Sequence, residues 1–60
     1  MAIVRIQGEN EKVLGIYYEY NPSAPPLGQG GMGKVYKGWL CNEMNNHRRE
    51  VAIKFLYSDL

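Results

Sequence analysis

Gly28-Gln29-Gly30-Gly31-Met32-Gly33 runs straight into Lys34-Val35-Tyr36-Lys37-Gly38-Trp39-Leu40, and that junction decides the fold. The hexapeptide fits G-x-G-x-x-G. Glycines at this spacing serve a phosphate in two ways. They permit positive φ, and they let backbone N–H groups approach oxygens with no Cβ in the way. The competing reading is a flexible hairpin tip. The residues after the loop separate three phosphate-loop geometries. A dinucleotide-binding loop opens a helix after its third glycine, whereas 34–40 is a poor helix start and a good strand. A Walker-type loop needs G-x-x-x-x-G-K and then Ser or Thr. Gly28 to Lys34 satisfies most of that, but Val35 stands at the hydroxyl position. The remaining geometry joins two antiparallel strands and folds the loop over a triphosphate.

Downstream, 41–49 is polar, with Asn42, Asn45 and Asn46, and reads as a turn. The clearest strand is 50–57, where Val51, Ile53, Phe55 and Tyr57 alternate with Ala52, Lys54 and Leu56. Folding that strand back on 34–40 puts Lys54 opposite or near Val35. Ala52 and Lys54 then share one face of the sheet, and the alternate set faces the other way. Ser58-Asp59-Leu60 reads as the cap of a helix. The chain opens on Met and stops at that start signal, which suggests a natural N-terminus and a truncated C-terminus.

Upstream, Pro22, Pro25 and Pro26 make 21–26 an extended connector or an irregular edge. Before it, 2–6 and 13–20 read as strands around a polar turn at 7–12, an N-terminal β-hairpin over 1–20. A helix through 13–20 is disfavoured by Gly15 and by three tyrosines. The expected fold is therefore mainly β, a small twisted antiparallel sheet of four to five strands.

Composition narrows the function classes. The chain has 60 residues, too few for more than one domain. A chain this short buries only about 60% of its unfolded surface and is marginal alone. Hydrophobic residues make up 45%, which is globular rather than disordered. Seven Lys and Arg against six Asp and Glu give a net charge of +1, which is neither a nucleic-acid footprint nor a polybasic membrane anchor. Charges at Arg5, Glu9, Glu11 and Lys12 break any signal-peptide core, and there is no 18-residue apolar run for a membrane helix. Cys41 is the single cysteine, so no intrachain disulfide forms, and a reducing, cytoplasmic compartment is expected.

Leu27 to Tyr36 resembles the glycine-rich loop of protein kinases, G-x-G-x-x-G-x-V, and its Gly-Gly-Met-Gly with Val-Tyr is similar to bacterial serine/threonine kinases. Val51-Ala52-Ile53-Lys54 matches the V-A-I-K of the third kinase strand letter for letter. A given four-letter string arises by chance on the order of once in a hundred thousand positions. The resemblance covers 27–57, so 27–60 is read as the front of a kinase amino-terminal lobe. It implies that Leu27, Val35 and Ala52 cover an adenine ring, and that the amides of 29–33, with Gly28, Gly30 and Gly33 in the loop, lie over the phosphates of ATP. Met32 would exclude water at the tip, and Lys54 would hold the α- and β-phosphates and pair with a helix glutamate. The family transfers the γ-phosphoryl of MgATP to a Ser or Thr hydroxyl of a protein substrate. The glutamate, the catalytic Asp and the Mg²⁺-binding Asn and Asp match no position here, so the segment would contact ATP without catalysing transfer and would need the remainder of a kinase domain. The prolines stand where the first kinase strand should run. That strand is therefore shortened, displaced or on an edge, and some residues of the extra hairpin would replace it.

The plainer readings stand beside this one. Lys54 without its V-A-I neighbours is a solvated lysine. Leu27 and Val35 are what any small β core contains. His47-Arg48-Arg49 has Arg where a kinase catalytic loop needs Asp, and reads as a solvated turn. His47 lacks a second histidine for a metal. Cys41 reads as inert packing, and Tyr17, Tyr18, Tyr20 and Trp39 as core and edge residues. The competing function class is a β-rich interaction or dimerisation module whose exposed strand edge pairs with a partner or a second copy.

Overall fold

The computed structural model describes residues 2–57, and the helix-cap reading of 58–60 lies outside them. The sheet is organised by one strand. Val35, Tyr36 and Trp39 favour the pleated conformation, and the chain is extended from Gly33 to Asn42 with no helix after the loop. In chain order the elements are β1 (Val4–Ile6), α1 (Glu9–Leu14), β2 (Ile16–Tyr20), β3 (Gly28–Gly30), β4 (Gly33–Asn42) and β5 (Arg48–Leu56). They form a five-stranded antiparallel sheet, so the fold is mainly β.

β5 lines one side of β4 in a single unbroken register from Gly33↔Leu56 to Cys41↔Arg48. The other side of β4 is shared. β3 pairs with its start, from Gly28↔Val35 to Gly30↔Gly33. β2 pairs with its end, from Ile16↔Asn42 to Tyr20↔Gly38. β2 and β3 thus form one interrupted strand, and the proline segment leaves the sheet opposite Tyr36 and Lys37. Prolines cannot donate to a ladder, so this is where the pairing stops. β1 pairs outside β2, from Val4↔Tyr20 to Ile6↔Tyr18.

The structure corrects the reading of 7–20. The connection between β1 and β2 is a helix, Glu9–Leu14, rather than a turn, and Val13 and Leu14 belong to it rather than to a strand. Glu9 and Glu11 in its first turn and Lys12 in its last complement the helix dipole. The Glu11 carboxylate accepts the Gly8 N–H at 3.0 Å, which is the backbone half of a capping box. Gly15 ends the helix at φ 73°, the left-handed conformation glycine adopts without penalty. The turn at 41–49 is also shorter than expected, because β4 runs on to Asn42 and β5 begins at Arg48. The asparagines close it. Asn42 Oδ1 accepts from Met44 N at 2.9 Å, Asn45 Oδ1 accepts from His47 N at 3.0 Å, and Asn46 sits at φ 58°.

The sheet has two unlike faces. On one, Tyr20, Tyr36 and Phe55 meet at ring separations of 5.0 to 6.0 Å, flanked by half-buried Val51, Ile53 and Leu40. The other carries Val35, Lys37, Trp39 and Cys41 from β4 and Arg48, Glu50, Ala52 and Lys54 from β5. Tyr36 and Cys41 are the buried hydrophobic side chains among the described residues. The accessible surface is 4848 Å², against about 4,000 Å² for a compact monomer of this mass. The described residues form a single layer of sheet with a thin core.

Gly33 has a packing reason of its own. A Cβ there would run into the Phe55 carbonyl oxygen and the Leu56 backbone. Gly31 has no such neighbour, since a Cβ would meet nothing within 4 Å. Gly33→Ala is therefore expected to cost about 3 kcal/mol, near the upper end for overpacking. Gly31→Ala should stay within about 0.5 kcal/mol, as surface changes do. Urea unfolding followed by circular dichroism checks both. A Gly33→Ala variant as stable as the parent would contradict the Gly33↔Leu56 pairing.

Candidate phosphate-binding site

The β3–β4 hairpin turns through Gly31 and Met32, with Gly30 paired to Gly33. Its inner side bounds an open hollow of about 340 Å³, lined by residues 28–33 with Val35 and Lys54. That volume lies at the lower end of the range of ligand pockets. None of these glycines is at positive φ. Of the two services glycine can give a phosphate, only the missing Cβ is used. At Gly28, Gly30 and Gly31 the place of a Cβ is open space. Internal packing does not demand glycine there, and an approaching anion would reach the backbone unobstructed.

Lys54 arrives from β5. Its partner in register is Val35, which itself pairs with Gly28, so a single cross-strand row carries loop, Val35 and Lys54. The other cations on this face are each matched. Arg5 meets Glu43 at 2.7 Å, Arg48 meets Glu19 at 3.3 Å, and Lys37 meets Glu50 at 3.6 Å. Such exposed pairs add little stability, but they cancel charge locally. Among the described residues Lys54 has no ion-pair partner, so the uncompensated positive charge of the face sits at the hollow. Lys34, the lysine a Walker-type loop would use, is opposite Phe55 on the other face. Its ammonium lies 5.4 Å from the Tyr36 ring centroid. Tyr36, first through its hydrogen bond and then through its charge, raises the Lys34 pKa above the ordinary lysine value.

Of the residues singled out from sequence, the structure gathers Gly28, Gly30, Met32, Gly33, Val35 and Lys54 around the hollow. Met32 stands at the tip, 79% exposed. Two are left outside the lining. Leu27 is 65% exposed. Its amide donates to the Val35 carbonyl at 2.7 Å, so Leu27 and Gly28 both meet one residue, as at a β-bulge. Ala52 is exposed and pairs with Lys37, one step beyond Val35 on the same face. The Gln29 side chain and Tyr57 hold the loop down, a role the sequence reading did not give them. Tyr57 N donates to the Met32 carbonyl at 2.9 Å, and Gln29 Nε2 donates to the Tyr57 hydroxyl at 3.4 Å. No motif marks them. Extending the β4–β5 register past Leu56 would have found the first of these bonds.

A larger hollow of about 520 Å³ lies at the opposite end of the sheet, between Ile16, Leu40 and the Asn42–Arg49 turn. Its polar side chains belong to an exposed turn, and Arg48 is already engaged with Glu19. No family model, curated protein or solved structure matches the chain. No helix among the described residues is long and apolar enough to cross a membrane.

Trp39 and Cys41 lie on the same face of the sheet as Lys54. Trp39 lies between Lys37 and Arg48, 5.8 and 5.3 Å from its ring centroid. Cys41 is 3% exposed, though covered only by the side chains of one sheet, and its Sγ is 3.6 Å from Glu19 Oε1. Burial first, and then Glu19, push the thiol pKa up. The folded state therefore keeps a proton that the unfolded chain gives up. This contribution is fully present below the ordinary thiol range and is lost as pH rises through that range toward the raised value. The urea midpoint should fall more steeply above about pH 8.5, the ordinary thiol pKa, in the parent than in Cys41→Ala. Equal slopes would mean that the thiol is not shielded.

Proposed function

We propose that the chain is the N-terminal ATP-binding segment of a serine/threonine protein kinase, contacting nucleotide phosphates through its glycine loop and Lys54. One observation carries the reading: the β4–β5 register puts Lys54, which has no ion-pair partner among the described residues, opposite Val35, at a loop whose outer glycines are open where a Cβ would be. The loop amides would lie against the phosphate oxygens, and Lys54 would supply the charge-assisted contact. Val35 and Ala52 share the face on which an adenine would lie. Leu27, outside the hollow, is the weaker part of that roof.

The resemblance assigns proton abstraction and Mg²⁺ ligation to residues this chain does not match, so phosphoryl transfer is not attributed to it. The segment's own role is to hold nucleotide for the remainder of a kinase domain, which would supply the helix glutamate for Lys54 and bind the protein substrate.

The test is a ¹⁵N–¹H titration with MgATP at low ionic strength. Saturable shifts should be confined to 28–33, Val35 and Lys54, and adenosine alone should leave the loop unmoved. Lys54→Ala should weaken binding about tenfold or more, the worth of one charged hydrogen bond. Shifts elsewhere, or shifts indifferent to Lys54→Ala, would contradict the proposal.

A further inference from the structure

We propose that Tyr57, acting through Gln29, is the positioning residue of the glycine loop: it straps the loop from behind and sets the fraction of molecules whose loop stands ready for a phosphate. The effect on binding rests on the nucleotide reading; the strap itself does not.

β3 has little of its own to hold it. It is Gly28-Gln29-Gly30, three exposed residues in a ladder of three pairs with β4. Elements this short and exposed open at little cost in free energy. Two of its residues have no side chain, so Gln29 carries the only side-chain hold β3 can make. Gln29 is opposite Lys34, and Lys34 is opposite Phe55. That row belongs to the aromatic face, while Val35 and Lys54 lie on the other.

Tyr57 reaches the loop from the far side of β4. Its N–H donates to the Met32 carbonyl at 2.9 Å, which extends the β4–β5 register by one pair and keeps Tyr57 on the face of Phe55. β3 and β5 flank β4, two strand spacings apart, about 10 Å. Only long side chains close that gap. Gln29 Nε2 donates to the Tyr57 hydroxyl at 3.4 Å, above the Lys34 row. Tyr57 thus grips the hairpin twice, at the tip through its amide and at β3 through its hydroxyl. It does not line the hollow, so it acts through the loop rather than on a ligand. A ligand's apparent affinity falls with the fraction of protein in the competent state, and a loop held beforehand removes that loss. Tyr57 is also the first residue past β5, so a displacement of that end of the strand is carried to the loop.

The test is ¹⁵N relaxation of the 60-residue chain without nucleotide, followed by MgATP titration. Tyr57→Phe keeps the ring and the bond to Met32 and removes only the acceptor. Its order parameters at 29–32 should fall from the rigid-backbone value of about 0.85 toward about 0.6, with 35–41 and 49–55 unchanged. Gln29→Met should do the same. Gln29→Glu, whose carboxylate can accept from the hydroxyl, should keep the order of the parent. Tyr57→Phe and Gln29→Met should each weaken MgATP binding about fivefold, the worth of one neutral hydrogen bond. The double variant should be no weaker than either, because both remove one bond. Lys54→Ala should weaken binding and leave the loop as ordered as in the parent. A loop equally ordered in Tyr57→Phe overturns the strap. A loosened loop with unchanged affinity, or two effects that multiply in the double variant, overturns the positioning role and leaves the nucleotide reading standing. A parent that binds no MgATP overturns that reading and the effect on binding with it, and the order parameters then decide the strap alone.

Discussion

Everything at the candidate site depends on the unbroken pairing of β4 with β5. An antiparallel register is a strict constraint, because a slip of one residue sends every side chain of the strand to the other face. The register from Gly33↔Leu56 to Cys41↔Arg48 puts Lys54 beside the loop, places Val51, Ile53 and Phe55 against the aromatic cluster, and requires the bare backbone of Gly33. Loop, lysine and core are settled together. The tight Asn-rich turn at one end and the Tyr57-to-Met32 bond at the other pin that register from both sides.

The second constraint is the thinness of the fold. Among the described residues no second layer buries the apolar side of the sheet, and only Tyr36 and Cys41 are buried hydrophobic side chains. Phe55, Ile53 and Val51 are half-exposed on one face, while the other is a mosaic of matched charges and aromatic rings. Such a chain lies near the margin of stability.

Much of this was legible in the sequence because local and long-range signals agreed. Glycines followed by Lys34 to Leu40 meant loop then strand, and the alternation at 51–57 gave both the faces of β5 and the approach of Lys54 to Val35. The helix at Glu9–Leu14 was not legible as one. Its six residues carry only weak propensity, and its apolar Val13 and Leu14 are 86% and 67% exposed, so no periodic face announced it. Its signals were the flanking acidic residues and Gly15, which marks an end as readily as an interruption. The prolines did indicate that the strand before the loop is short and on an edge, as β3 is. That β2 would resume the same edge of β4 on the far side of them is a tertiary fact, fixed by Tyr18 and Tyr20 joining the sheet across from Leu40 and Gly38. Leu27 illustrates the limit for the site. Its motif position was clear, but the doubled contact of Leu27 and Gly28 with Val35 turns on local backbone geometry that no residue type encodes.

The β4–β5 register is the central claim, and proton NMR reads it directly. Val35 and Lys54 form a pair that does not exchange hydrogen bonds, and in such pairs the Cα atoms lie about 4.5 Å apart. This register predicts a strong nuclear Overhauser effect between the Hα of Val35 and the Hα of Lys54. A strong Hα–Hα effect from Val35 to Ile53 or Phe55 instead would place Lys54 on the opposite face, away from the loop, and would contradict it.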